Sequence, residues 1–173
     1  MDLSNIKYKN KSPQIAENVF IAPNAVVAGD VTINDNANIW FNVVLRGDVN
    51  KITVGKNTNI QDGTVVHVGR NEGGETVIGD NITIGHSAVI HACKLEDGCF
   101  VGMQALVLDR AVVRKNAFVA AGSLVVGGTI IPEGELWAGR PAKFLRKVRP
   151  EEFDFMKDNI EVYLNLAKEY QGI

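Results

Sequence analysis

The sequence is poor in cysteine and in net charge, and each shortage excludes a class of protein. Only Cys93 and Cys99 occur in 173 residues. Two cysteines are too few for a disulfide framework and lack the CxxC spacing of a zinc or redox pair, so we interpret both as reduced structural residues. Eighteen Lys and Arg against twenty Asp and Glu leave a formal charge of −2. Such a balance argues against a nucleic-acid partner.

Long apolar runs are also lacking, because each is interrupted within a few residues. No membrane partner is therefore expected. Residues 1–5 lack the charged and apolar regions of a signal peptide, which predicts a cytoplasmic protein. With 46% hydrophobic and 22% charged residues, the composition is that of one folded domain with its own core, and it excludes disorder and collagen.

What the sequence does have is an internal repeat of six residues. A small or β-branched residue usually stands four places after each aliphatic one, and turn formers such as Asn, Asp and Gly lie between them. The repeat gives eighteen hexads. Their aliphatic positions are Ile15, Ile21, Val27, Ile33, Ile39, Leu45, Val54, Ile60, Val66, Ile78, Ile84, Ile90, Leu95, Val101, Val107, Val113, Val119 and Val125.

A period of six is neither the 3.6 of an α-helix nor the alternation of a single strand. It predicts a short strand followed by a corner, and three such units close a triangular coil. Eighteen hexads predict an all-β fold of about six coils, stacked at roughly 4.8 Å. The alternative, a β-sandwich, predicts irregular strand spacing. The hand of the coil does not follow from this argument, because parallel crossovers are normally right-handed.

The end of the chain has a helical pattern instead. Pro150 suits the first helical position, the acidic pair after it suits the positive end of a helix, and Gly172 suits the stop. We therefore divide the chain into a repeat domain with its connector, 1–149, and a helix, 150–173, packed on the coil or on a neighbouring subunit. The apolar stripe that this packing buries is Phe153, Met156, Ile160, Leu164 and Ala167.

All three histidines fall within residues 67–91. Counting hexads as coils predicts that Arg46, His67 and His86 stack on one face and that His91 lies around a corner. Successive side chains of a strand point to opposite sides, so one chain does not easily bring His86 to His67 and His91.

Two subunits can bring them together, and a closed ring of three is the natural symmetry. Three neutral imidazoles suit Zn²⁺ or a similar divalent ion and leave a fourth position for water, as in catalytic sites. The alternative is three unrelated surface histidines, each hydrogen-bonded or solvated.

Several short motifs are spread over the repeat. They are Arg46-Gly47-Asp48, Gln61-Asp62-Gly63, His67, Gly85-His86, Ile90-His91, Val101-Gly102-Met103 and Gly139-Arg140-Pro141-Ala142-Lys143. From about Ile15 to the final helix, the chain resembles the γ-class carbonic anhydrase-like proteins, which are left-handed parallel β-helices of hexapeptide repeats. The spaced histidines with Arg-Gly-Asp are specific, whereas hexapeptide acyltransferases share the Gly-x-Pro-Ala-Lys stretch.

The resemblance implies a homotrimer with three metal sites at its subunit boundaries. His67, His86 and His91 match the metal ligands. The metal would be divalent, most often Zn²⁺, although Fe²⁺ and Co²⁺ also accept imidazole. The implied reaction is the reversible hydration of carbon dioxide to bicarbonate by a metal-bound hydroxide.

Five further residues match family positions. Arg46 and Asp48 would pair across the subunit boundary. Gln61 would hydrogen-bond the metal-bound water or bicarbonate, and Asp62 matches the family residue next to it. Tyr163 would approach the metal from above. Each residue also has a plainer interpretation. Arg46 and Asp48 would be a surface ion pair, Gln61 an interface amide, Asp62 a turn residue and Tyr163 a core aromatic.

The sequence also departs from the family pattern. The loop 69–75 is shorter than the acidic loop of the best-studied active form, and Val49 stands where an active relative has glutamate, which predicts slow turnover. Two other functions remain open. One is an acyl-CoA-dependent hexapeptide acyltransferase with a histidine as general base. The other is a thioesterase-like or structural trimer.

Overall fold

A computed structural model describes residues 3–172, which form a left-handed parallel β-helix followed by one α-helix. Fifteen of the nineteen strands in this described part are two or three residues long, as a period of six requires. In chain order the elements of this described part are β1 (Gln14–Ile15), β2 (Phe20–Ile21), β3 (Val26–Ile33), β4 (Asn38–Ile39), β5 (Val44–Val54), β6 (Asn59–Ile60), β7 (Val65–His67), β8 (Thr76–Ile78), β9 (Thr83–Ile84), β10 (Val89–His91), β11 (Lys94–Leu95), β12 (Phe100–Val101), β13 (Leu106–Val107), β14 (Val112–Val113), β15 (Phe118–Val119), β16 (Leu124–Val125), β17 (Ile130–Ile131), β18 (Glu135–Gly139), β19 (Ala142–Lys147) and α1 (Pro150–Gln171).

The strands stack in parallel on three faces. The face on which α1 lies, called the helix face, contains β2, β4, β6, β9, β12, β15 and β18. β19 turns back antiparallel on β18. β3 and β5 each run around a corner. Their first halves belong to the face with β7, β10, β13 and β16, called the histidine face because His67 and His91 end β7 and β10. Their second halves belong to the third face with β1, β8, β11, β14 and β17.

The β-helix has about seven turns, one more than the hexads predicted. The repeat continues past Val125, because Ile131 pairs with Val113 and Trp137 pairs with Val119, each one coil earlier.

The core is a set of aliphatic columns inside the coil. Ile60 and Ile84 are in register on the helix face, and Val66 and Ile90 are in register on the histidine face, all with no exposed surface. Burying such a side chain contributes about 1.5–3 kcal/mol, which makes these columns the main stabilising feature of the fold. Small side chains fill the corners, as the hexad pattern predicted; the fully buried alanines are Ala25, Ala37, Ala88, Ala105, Ala111 and Ala117.

The register differs from the predicted stacking at one place. Val66 pairs with Ile90, 24 residues later, and not with Ile84. Residues between Gly69 and Gly74 leave the coil as a loop, which the Gly69 N–H closes by donating to the Gly74 carbonyl at 2.7 Å. The predicted position of His86 on the histidine face was therefore wrong, and so was the position of His91 around a corner.

α1 lies on the helix face, where it packs against β2, β4, β6 and β9. It begins at Pro150, as predicted, and the backbone of Arg149 donates to the Glu152 carboxylate at 2.9 Å. Gly172 ends it in the left-handed conformation at φ 75°. Met156, Ile160 and Ala167 of the predicted stripe are buried. Nowhere in residues 3–172 is there a helix with the length and apolar character needed to cross a bilayer.

Candidate functional site

His67 and His91 lie side by side on the histidine face. They end β7 and β10, are paired in register, and follow Val66 and Ile90, which point into the core. Alternation along a strand therefore turns both imidazoles outward. His67 Nδ1 and His91 Nε2 are 3.1 Å apart. Because Arg46 is also in register with His67, it belongs to the same column.

A carboxylate stands at the far nitrogen of each of these imidazoles. Asp48 Oδ1 is 3.1 Å from His67 Nε2, and Asp109 Oδ1 is 2.7 Å from His91 Nδ1. Arg46 donates to the other oxygen of Asp48 within the same chain. Burial raises the pKa of Asp48, but hydrogen bonds from His67 and Arg46 outweigh it and leave the pKa below its usual value. Asp48 is therefore ionised at neutral pH. We call Asp48, His67, His91 and Asp109 the strand half-site.

His86 lies elsewhere, on the corner that follows β9. Its Nδ1 is 2.8 Å from Asp62 Oδ2, and its Nε2 is 3.4 Å from the Tyr163 hydroxyl of α1. Burial, and then the Asp62 carboxylate, raise the pKa of Tyr163, so its hydroxyl keeps its proton. Gly85 precedes His86 where a Cβ would come within 2.6 Å of the Met103 backbone nitrogen. Only glycine fits at this point of the corner.

Gln61 is buried next to this corner, with 3% of its surface exposed. Its Nε2 donates to Asn59 Oδ1 at 3.0 Å, Asn59 donates to Thr83 at 2.9 Å, and Thr83 donates to Asn159 of α1 at 3.1 Å. Since the chain of hydrogen bonds uses the amide N–H of Gln61, its Oε1 remains an acceptor. We call Gln61, Asp62, His86 and Tyr163 the corner half-site.

The eight predicted site residues thus form two groups. Seven of them are divided between the half-sites, and Arg46 flanks the strand half-site. Among residues 3–172 of one chain, no group of three or more His, Cys, Asp and Glu side chains is arranged to hold a metal ion. A groove of about 560 Å³ beside α1 is lined by other residues, among them Asn81, Lys115 and Met156.

Comparison with known proteins identifies the family. A family model described as bacterial transferase hexapeptide (six repeats) matches residues 12–47. Gamma carbonic anhydrase 2, mitochondrial, of Arabidopsis thaliana is 55% identical over 92% of this chain and 59% of its own length. The probable carbonic anhydrase of Methanocaldococcus jannaschii is 44% identical over 89% of this chain and 96% of its own. The chain belongs to the γ-carbonic anhydrase family.

The chain spans only about three fifths of the length of that plant member of the γ-carbonic anhydrase family. Among solved structures, a hexapeptide transferase family protein from Anaplasma phagocytophilum superposes with a TM-score of 0.93. It is 50% identical, and the match covers 98% of this chain and 99% of that one.

The histidines fit the divalent ion that a γ-carbonic anhydrase uses. If each outer nitrogen donates its N–H to the neighbouring carboxylate, the inner nitrogens of His67 and His91 both present lone pairs. Two such lone pairs 3.1 Å apart suit one shared cation. Two nitrogens bound tetrahedrally at about 2.0–2.1 Å would be about 3.3 Å apart, close to the observed separation.

Sequence reasoning missed Asp109, Asn59, Thr83 and Asn159. Asp109 had a detectable signal, because it lies one coil after His91 in the repeat, next to the residue in register with that histidine. The hydrogen-bonded chain through Asn59 had none, because Asn159 reaches the β-helix only through the packing of α1.

The cysteines have no part in either half-site. Both are free and buried. Burial raises the pKa of Cys93 to about 12 and raises that of Cys99 as well, so neither thiol ionises at neutral pH. The interpretation of both as reduced structural residues is confirmed.

Proposed function

We propose that this protein catalyses the reversible hydration of carbon dioxide to bicarbonate at divalent metal sites on the boundaries of a homotrimer. The observation that carries the proposal is the division of the histidines into a converging pair, His67 and His91, and a single one, His86, at a corner of the coil. Each part is incomplete alone, and a second copy of the chain supplies the missing part. Relatives named as carbonic anhydrases support the chemistry.

In this site His67 and His91 of one protomer and His86 of its neighbour would hold the metal. Three imidazoles leave one position for water or substrate. When bound, the divalent ion lowers the pKa of a coordinated water to about 7 and supplies a nucleophile at neutral pH. Zn²⁺ is the proposed metal, with Fe²⁺ and Co²⁺ as the ions that the same donor set accepts.

The remaining residues orient these groups. Gln61 would direct its Oε1 acceptor at the nucleophile, because its amide N–H is held by Asn59. Asp62 accepts from His86 Nδ1 and thereby leaves Nε2 as the ligating atom. Tyr163 would place a protonated hydroxyl beside that nitrogen.

Subunit complementation tests the shared site. His67→Ala removes one ligand from the strand half-site, and His86→Ala removes one from the corner half-site. We expect each variant alone to bind no metal and to be inactive. A 1:1 mixture, dissociated and reassembled, should recover about one quarter of the wild-type sites, since each boundary needs one intact half from each variant.

The control is a variant carrying both substitutions, mixed with either single variant, which should recover nothing. Metal content, carbon dioxide hydration and mass by light scattering are measured on the same samples. A monomeric protein, or a mixture without recovered metal, contradicts the shared site. Full metal occupancy without hydration contradicts the proposed reaction alone.

An acyltransferase is the second candidate, supported by the 50% identical solved structure named as a hexapeptide transferase family protein. This chemistry uses acyl-CoA and a histidine general base and needs no metal. Acyl transfer that persists after chelation would favour it over hydration.

The proposed compartment is the cytoplasm. The plant relative is named as mitochondrial, so a tagged copy of the full-length protein in its own cells decides between the two.

A further inference from the structure

We propose that Asp109 is a positioning residue that holds His91 in the tautomer with the proton on Nδ1 and the lone pair on Nε2. The consequence for metal binding rests on the proposed function. The tautomer itself is a property of the chain without metal.

The two histidines lie between two carboxylates along the axis of the β-helix. Asp48 belongs to the coil before His67, and Asp109 belongs to the coil after His91. The order along the axis is therefore carboxylate, imidazole, imidazole, carboxylate, with contacts of 3.1, 3.1 and 2.7 Å. Of these contacts, the one made by Asp109 is the shortest.

Chemistry assigns the protons in this row. A neutral imidazole has one donor and one acceptor nitrogen, and its hydrogen-bond partner selects which is which. An ionised carboxylate only accepts, so His91 must donate from Nδ1 to Asp109. Its Nε2 then carries the lone pair and faces His67.

The neighbouring histidine has the opposite arrangement. His67 meets Asp48 through Nε2 and therefore faces His91 through Nδ1. The strand half-site thus presents one Nδ1 and one Nε2 to the space between the rings. An imidazole side chain free in water favours a proton on Nε2. The mixed pair therefore depends on the carboxylates at the outer nitrogens. His91 is the ring whose tautomer must be reversed, and Asp109 is the group that reverses it.

Asp109 is suited to this role and to little else. Its side chain is 54% exposed, and its contact within the described residues is with His91. The backbone of Asp109, not its side chain, accepts from Gly128. Replacement of the side chain should therefore leave the coil intact.

The first test is the tautomer of His91 in metal-free protein with ¹⁵N-labelled histidine, measured by NMR at a pH where the imidazoles are neutral. Wild type should show protonated Nδ1. Asp109→Ala should move the proton to Nε2, and Asp109→Glu, which keeps a carboxylate, should restore Nδ1–H. Glu133→Ala, which removes an exposed carboxylate from another corner, is the control. A proton that stays on Nδ1 in Asp109→Ala overturns the proposal.

The second test is Zn²⁺ affinity, measured by competition with a chromophoric chelator. Asp109→Ala should weaken binding about 10–100-fold, as expected for the outer partner of a histidine ligand, whereas Glu133→Ala should not change it. Equal affinity of Asp109→Ala and wild type overturns the metal-positioning role. If wild type binds none of Zn²⁺, Co²⁺ and Fe²⁺, the proposed function is wrong, and the tautomer still decides what Asp109 does.

Discussion

The two half-sites are built in different ways. In the strand half-site, parallel register places His67 beside His91, and neighbouring coils supply the two aspartates. In the corner half-site, His86 meets Tyr163, 77 residues away, because α1 packs on the helix face. The first half depends on the sheet alone, whereas the second needs the sheet and the helix together. Variants that affect one half and spare the other can therefore separate the two.

The largest effect is expected from His86→Ala, which removes the only histidine of the corner half-site. Two imidazoles remain, and metal affinity should fall by more than the ~100-fold typical of an outer partner. Equilibrium dialysis with Zn²⁺ measures this loss. Tyr170→Phe, on the same helix but outside the half-site, is the control, because it keeps the ring packed on Trp40 at 5.5 Å and removes only a hydroxyl. Wild-type metal content in His86→Ala would show that His86 is not a ligand.

The stability of the coil beneath the strand half-site should depend on the buried aliphatic side chains inside it. Ile90 has no exposed surface and lies between Val66 and Val107 in the register that positions His91. Ile90→Ala should cost about 2–5 kcal/mol of unfolding free energy, since it leaves a cavity inside the coil. Chemical denaturation measures the loss. Ile130→Ala, at a position 54% exposed, should stay within about 0.5 kcal/mol. Similar losses for the two variants would contradict this account of the core.

A smaller loss of free energy is expected for trimer association, at the proposed subunit boundary that joins the half-sites. Arg46 is half exposed in one chain and pairs with Asp48. Burial of this pair against a neighbour would make its loss costly, so Arg46→Ala should weaken the trimer at least about tenfold, or about 1.4 kcal/mol. Sedimentation over a dilution series measures the trimer constant.

Arg114 provides the matched control for this boundary. It has nearly the same exposure and a similar carboxylate partner, Glu96, at 2.7 Å, but lies on another face. Arg114→Ala should leave the trimer intact. If Arg46→Ala also stays trimeric at low micromolar concentration and keeps its metal, Arg46 is an ordinary surface charge.

The smallest effect is expected on thermal stability, from the ion pair that holds the beginning of α1. The Arg146 guanidinium donates two hydrogen bonds to Glu152 and holds the pKa of that carboxyl at about 2. A lowered pKa means that the pair stabilises the folded state above the ordinary pKa of about 4.5 and that this stabilisation disappears as pH falls toward 2. Thermal unfolding of wild type and Glu152→Gln should differ by a few degrees at pH 7 and converge near pH 2.

Glu151→Gln is the control for this acid effect. Its carboxylate is 3.9 Å from Arg149 and is mostly exposed. Its melting temperature should follow wild type at every pH. A Glu152→Gln variant that melts with wild type at pH 7 would show that the Arg146 pair does not stabilise the helix.

The sequence by itself determined the repeating unit. A strand and corner of six residues, small residues at corners and the helix beginning at Pro150 are all local patterns. They follow from side-chain volume, turn conformation and helix-end chemistry over a few neighbouring residues. The step from Leu45 to Val66 was also counted correctly as one coil.

Only the tertiary structure decided how the coils are aligned across the loop 69–74. This loop adds six residues, the length of one hexad, so spacing alone does not distinguish it from another side of the coil. The hydrogen bonds of the sheet make the choice and place His91, not His86, beside His67. The contacts of Asp109 with His91 and of Tyr163 with His86 were likewise decided by packing, because each joins groups that only the folded coil brings together.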